Sequence, residues 1–144
     1  MVFIGQDALA VNEEKIIKQM ASPTGLSEEQ VREYYKSGCD SGQYIPMFTC
    51  GRFNYLYADA ELNETYQSLL KQLNTDSAKS ALKTAEIAWI KYRDTTCKYE
   101  TDAVRSGRFG SVFKIGCLTA VTKERVAKLK EYLTCQDPGC PGEW

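Results

Sequence analysis

The chain has 144 residues, a formal net charge of −1 and no histidine. A domain of this length buries about two-thirds of the surface its unfolded chain exposes, so a core needs neither metal nor disulfide support. Residues 1–76 hold 6 basic and 11 acidic side chains and residues 77–144 hold 12 and 8, so neither half has the strongly basic face that nucleic acid requires.

In chain order, Leu9, Ile16, Ile17 and Met20 predict a first helix over about Asp7 to Met20, ending at Ser22-Pro23-Thr24-Gly25. The second start signal is stronger. Ser27 is an N-cap, Gln30 completes a capping box and Leu26 can staple onto Val31. Val31, Tyr34 and Tyr35 form one face, and Gly38 supplies the stop. A third, long helix is predicted from about Pro46 to Leu73, because Phe53, Leu56, Tyr57, Ala60, Tyr66, Leu69, Leu70 and Leu73 recur at three- and four-residue steps. Asn74-Thr75-Asp76-Ser77 ends it and caps a fourth helix running to about Asp102, with Leu82, Ala85, Trp89, Tyr92, Thr96 and Tyr99 as the expected inner stripe. Ser106-Gly107-Arg108-Phe109-Gly110 opens a loop, and Ile115, Leu118, Val121, Val126, Leu129 and Leu133 mark a fifth helix. The expected fold is an all-α, disulfide-stapled bundle of three long antiparallel helices and one or two shorter N-terminal ones. Residues 1–38 would form an N-terminal helical extension packed on the core, and residues 39–144 a helical domain with a short C-terminal tail.

Six cysteines, Cys39, Cys50, Cys97, Cys117, Cys135 and Cys140, form an even set with no C-x-x-C spacing. Without histidine or a short knuckle they do not read as a zinc site; they read as disulfides of a periplasmic or secreted protein. Met1-Val2-Phe3-Ile4 is too short for a signal peptide, so a removed leader is expected. Hairpin register assigns partners. If the fourth and fifth helices fold back about residue 107, Cys97 lies beside Cys117 and Trp89 lies level with Arg125, whose guanidinium could stack on the indole. If the third and fourth reverse about Thr75, Asp59 lies level with Lys91 and within a turn of Arg93, where an ion pair would fix the meeting faces. Cys39–Cys50 is then the economical second bridge, although Cys39–Cys97 with Cys50–Cys117 remains open. Cys135 and Cys140 enclose Pro138-Gly139, a type II turn signal for a local bridge.

Catalytic equipment is lacking. Asp59, Glu61 and Glu64 lie on one predicted helix at steps of two and three, whereas a glycosidase sets its two carboxylates across a cleft. The absence of histidine removes Ser-His and Cys-His dyads. Gly107-x-x-Gly110 lacks the Lys-Ser/Thr of a phosphate loop. No enzyme, cofactor or metal is therefore expected. The segment from Asp102 to Lys114 sets Arg105, Arg108, Phe109 and Lys114 around two glycines, in a loop whose base the Cys97–Cys117 bridge would pin. Cations and an exposed aromatic on a pre-organised loop make a candidate partner-binding element.

The series Ala58-Asp59-x-Glu61-Leu62-Asn63-x-x-Tyr66, Leu82-Lys83, Ala88-Trp89-Ile90-x-Tyr92-Arg93-Asp94-x-x-Cys97, Glu100 and Cys117-Leu118-x-x-x-Thr122-x-x-Arg125, with Cys39 and Cys50 before it, resembles the lysozyme inhibitor LprI-like N-terminal domain family of exported bacterial proteins. Glu86 departs from it, standing where the family motif usually has glutamine, with little consequence expected at a helix surface. The extra Cys135 and Cys140 and the helices before Cys39 also depart. The resemblance implies an exported helical domain and, for the family's namesake, an inhibitory complex with lysozyme. Its motif residues, including Asp59, Arg93 and Arg125 as ion-pair formers, look like fold determinants. The implied partner is a lysozyme or other peptidoglycan hydrolase, inhibited by a loop in its cleft. The alternatives are an immunity protein against a toxin delivered to the periplasm and a structural envelope protein with no enzyme target.

Overall fold

The computed structural model describes residues 11–143. Five helices, α1 (Glu13–Thr24), α2 (Glu28–Ser37), α3 (Tyr44–Gln72), α4 (Asp76–Thr101) and α5 (Gly110–Thr134), account for most of it, with no strand among the described residues. The chain is all-α and stapled by disulfides.

Local chemistry sets the boundaries. Asn12 caps α1 by accepting from the Lys15 amide at 3.1 Å, so this helix starts later than its apolar stripe suggests and runs on through Pro23 to Thr24; the expected first residues 7–10 lie outside the described residues. Gly25, at φ 70°, ends it in the left-handed conformation. The capping box of α2 is complete: the Gln30 amide donates to Ser27 Oγ at 3.1 Å and the Ser27 amide to Gln30 Oε1 at 2.9 Å. Gly38 ends α2 by a different route from the expected one. Its φ is −81°, and a Cβ there would lie 2.4 Å from the Tyr34 carbonyl oxygen and 2.5 Å from that of Pro46, so glycine is needed where α2 runs against the start of α3. Pro46 falls in the first turn of α3, where its missing N–H has no intrahelical acceptor to lose.

Two buried clusters organise the molecule. Ile16, Ile17 and Met20 of α1, Val31 of α2 and Phe53 of α3 form the first, with Tyr35 stacked on Phe53 at 3.9 Å between ring centroids. Leu62 and Leu69 of α3 with Val126 and Leu129 of α5 form the second, edged by Tyr66, Leu82, Trp89 and Tyr132. The backbone topology is up, down, up, and the closest pair is α3 with α5, which run parallel: Tyr44 reaches Ser111 at one end and Glu61 pairs with Lys130 further along. Small side chains allow this approach. Ala58, Thr65 and Thr122 are fully buried, Thr119 nearly so, and Thr65 and Thr119 return their hydroxyls to carbonyls one turn back at 2.8 Å. By contrast α4 leans on α5, and its backbone stays clear of α3.

The inner face of α4 differs from the expected stripe. Ala78, Leu82, Glu86, Trp89, Arg93 and Cys97 turn inward, whereas Tyr92 is 59% exposed, Tyr99 84% exposed and Ala85 faces solvent. Glu86 and Arg93 are buried because each charge is met: Arg125 Nη2 and Nε donate to Glu86 Oε2 at 2.8 and 3.1 Å, and Arg93 Nε donates to Asp94 at 2.9 Å. Glu86 is therefore an inter-helix ion-pair residue, and its expected surface position is corrected.

Candidate partner-binding end of the bundle

Cys97 in the last turns of α4 and Cys117 in the second turn of α5 are bonded, with Cα atoms 5.6 Å apart, and Cys39–Cys50 (5.3 Å) and Cys135–Cys140 (5.9 Å) complete the set. The first two bridges stand at the end of the bundle where the α4–α5 connection emerges. That connection is a series of tight turns. A single 3₁₀ turn, Asp102–Val104, is followed by Arg105 N donating to Asp102 O, Gly107 N to Val104 O at 3.0 Å and Gly110 N to Gly107 O at 3.1 Å. Gly110 is required by close approach, since a Cβ would lie 2.5 Å from the Val104 oxygen and 2.7 Å from that of Arg105.

An aromatic cluster fixes this end to α3. The Tyr44 hydroxyl shares a 3.0 Å hydrogen bond with Ser111 Oγ, and its ring lies 5.7 Å from Phe48 and 6.0 Å from Phe109. Phe109 is accordingly half-buried, and the exposed aromatic expected there is instead Phe113, at 58%. Helix geometry explains the difference. At about 100° per residue, position 113 lies roughly opposite Ile115, which starts the buried Ile115–Thr119–Thr122 face of α5. Ile45 (57% exposed) and Val104 (39%) add apolar surface, and Arg108 borders a shallow cleft over Gly42 to Pro46.

The cations differ in availability. Arg105 is tied to Asp102 at 3.0 Å. Arg108 lies 5.8 Å from the Phe109 ring, and neither it nor the exposed Lys114 forms an ion pair among the described residues. A ring face holds the Arg108 guanidinium in place without neutralising it. The structure thus places Arg105, Arg108, Phe109 and Lys114 in one region, and adds Ile45, Val104 and Phe113, which the sequence reading did not single out.

The other singled-out charges lie along the bundle. Two guanidinium groups lie near the Trp89 ring, Arg93 at 5.2 Å and Arg125 at 5.9 Å from its centroid, and Arg93 also lies 5.9 Å from the Tyr55 ring. Burial, ahead of the opposing charge of Arg93, pushes the Tyr55 phenol up, which keeps that ring neutral. Asp59 makes no ion pair with Lys91 or Arg93; Arg93 takes Asp94, its neighbour on the same helix, and turns its guanidinium to the Trp89 and Tyr55 rings. Of the helix-borne carboxylates, Glu61 pairs with Lys130 across to α5. No helix among the described residues is long and apolar enough to cross a membrane.

The described residues form a disulfide-stapled helical domain with a cationic and apolar end pinned by Cys97–Cys117. Residues 39–129 match the family described as lysozyme inhibitor LprI, and the chain belongs to that family. It is also similar to an uncharacterized protein of Rhizobium meliloti (strain 1021), 36% identical over 96 residues that make up 58% of this chain and 69% of that protein. No solved structure matches it.

Proposed function

We propose that this chain is an exported, non-catalytic protein that binds a lysozyme or related peptidoglycan hydrolase and blocks its active-site cleft with the α4–α5 connection. The observation that carries this reading is the combination of two unneutralised cations, Arg108 and Lys114, with exposed Val104 on the α4–α5 connection, Phe113 at the start of α5 and Ile45 at the start of α3, at the end of the bundle where Cys97–Cys117 ties α4 to α5. Glycoside hydrolases work with paired carboxylates in a cleft, so a cation offered on a rigid projection is complementary to such a site. The bridge and the Tyr44–Ser111 bond lower the ordering cost of binding, and the apolar side chains supply the desolvated contact that most interface energy comes from. Three disulfides suit an exported protein.

The test is titration of purified lysozymes and other peptidoglycan hydrolases, reading both binding heat and inhibition of cell-wall lysis. Arg108→Ala is expected to weaken the complex about tenfold, Arg108→Glu further, and Phe113→Ala by a similar factor, each with melting temperature nearly unchanged because these side chains are exposed or unpaired. Equal affinity of all variants with the parent would move the interface away from this end. Absence of binding to every hydrolase would overturn the inhibitor reading.

A further inference from the structure

Because α4 leans on α5, an open groove is left between α3 and α4, along the middle of the bundle and away from the α4–α5 connection. One wall carries Asp59, Asn63 and Tyr66 at helical steps of four and three, and the facing wall carries Lys83, Ile87 and Ile90 at the same steps, with Arg93 three residues further on and Leu62 and Glu86 also in the lining. We infer that this groove is a second recognition surface, taking an apolar segment of a partner protein that sets one arginine or lysine side chain toward Asp59 and Glu86.

Three observations carry this. Ile87 is 60% exposed and Ile90 42%, adjacent on one face of a long helix, so a ready apolar ledge lies beside the charged groups. Asp59, half-buried in the opposite wall, forms no ion pair among the described residues. Glu86, with only 8% of its surface exposed, has one oxygen satisfied and one not: Oε2 accepts both bonds from Arg125, while Oε1 is buried without a partner. A buried carboxylate oxygen without a donor is costly, and a donor entering the groove would offset that cost.

The sign of the partner follows from which charges are already committed. Arg93, its Nε held by Asp94, lies against the faces of Trp89 and Tyr55, and Arg125 is paired with Glu86; the buried groove atom left without a partner is an acceptor, Glu86 Oε1, and Asp59 in the facing wall forms no ion pair among the described residues. Lys83 is an exposed rim residue on a flexible stem and can swing aside. A guanidinium or ammonium group supplies both positive charge and several donors, whereas an acidic side chain would meet two carboxylates. Residue 86 then sets selectivity. Glutamine there could still accept from Arg125, but it would turn an N–H toward the groove and repel the donor that the carboxylate attracts.

The experiment uses the isotopically labelled whole protein and a short leucine-rich helical peptide containing a single arginine, beside the same peptide with uncharged, isosteric citrulline. The arginine peptide is expected to shift amide resonances of residues 59–66 and 83–93 and leave residues 102–114 unmoved, and to bind about tenfold more tightly than the citrulline peptide. Asp59→Asn and Glu86→Gln should each reduce that preference severalfold, with helical content retained. Equal affinity for the two peptides, an unchanged preference in both variants, or shifts confined to other surfaces would overturn the inference. So would concentration-dependent shifts of the groove in the protein alone, which would make a second copy the occupant. Because no hydrolase enters the assay, its outcome is independent of the function proposed above.

Discussion

At the scale of single residues, the most consequential departure from expectation is that two charged side chains of α4, Glu86 and Arg93, face inward. Glu86 and Arg125 have side chains only 11% and 14% exposed, so solvent screens their pairing little, and removing one partner leaves the other buried and unpaired. Arg125→Ala is therefore expected to destabilise by about 3 kcal/mol, since it also strips one guanidinium from the Trp89 face. Glu86→Gln should cost about 1 kcal/mol, because the amide oxygen can still accept from Arg125. Urea denaturation of both variants checks the order, and a loss under 1 kcal/mol for Arg125→Ala would mean that the pair is solvated in solution. Trp89 belongs to the same picture: its half-buried indole packs on the second cluster with the guanidinium groups of Arg93 and Arg125 near its ring.

At the scale of elements, the connection between α4 and α5 depends on a glycine packed against backbone. Gly110→Ala would push a methyl group into the carbonyl oxygens of Val104 and Arg105, which cannot swing away as a side-chain tip can. The expected loss is about 2 kcal/mol from overpacking, partly offset by the better helix propensity of alanine. Thermal unfolding reads the loss, and amide shifts confined to residues 102–114 would show where the strain goes. Unchanged stability would mean that the turn re-forms freely. The legibility of these elements in the sequence follows from the kind of signal each carries. Ser27 and Gln30 form a reciprocal hydrogen-bond pair between near neighbours, so the capping box could be read directly. Cys97 beside Cys117 and Trp89 beside Arg125 follow from hairpin register alone, and both meet in the structure. The stripe of α4 could not be found from hydrophobicity, because the buried face carries Glu86 and Arg93 while Tyr92 and Tyr99 face solvent. The parallel α3–α5 contact was equally hidden, since hairpin register pairs only consecutive helices and the buried Ala58, Thr65, Thr119 and Thr122 of this seam carry little apolar signal. At the candidate site, Arg105, Arg108 and Lys114 were legible as cations in a turn-rich segment, but the pairing of Arg105 with Asp102 was not, nor was Phe113, because its exposure depends on which way α5 is rotated.

At the scale of the whole molecule, the two bridges near the candidate binding end tie α3 to the segment after α2 and α4 to α5. The first cluster joins α1 and α2 to the first half of α3, the second joins the rest of α3 to α5, and the end carrying Arg108 and Phe113, at the starts of α3 and α5, belongs to neither. Cys97–Cys117 closes a segment with a sequence separation of 20 residues, for which the chain-entropy account gives about 3 kcal/mol. Cys135–Cys140, with a separation of 5, constrains only the C-terminal tail. Replacing Cys97 and Cys117 together by alanine should therefore lower stability by about 3 kcal/mol and weaken a hydrolase complex, because the connection must then be ordered at the moment of binding. The corresponding double replacement at Cys135 and Cys140 should leave the complex unchanged, since that tail folds against Leu73 and Ala78. Denaturation curves and hydrolase titration on both double variants separate the two effects. Equal loss of affinity in both would show that the bridges act through global stability, and full affinity in the first would show that the turn geometry is held without its disulfide.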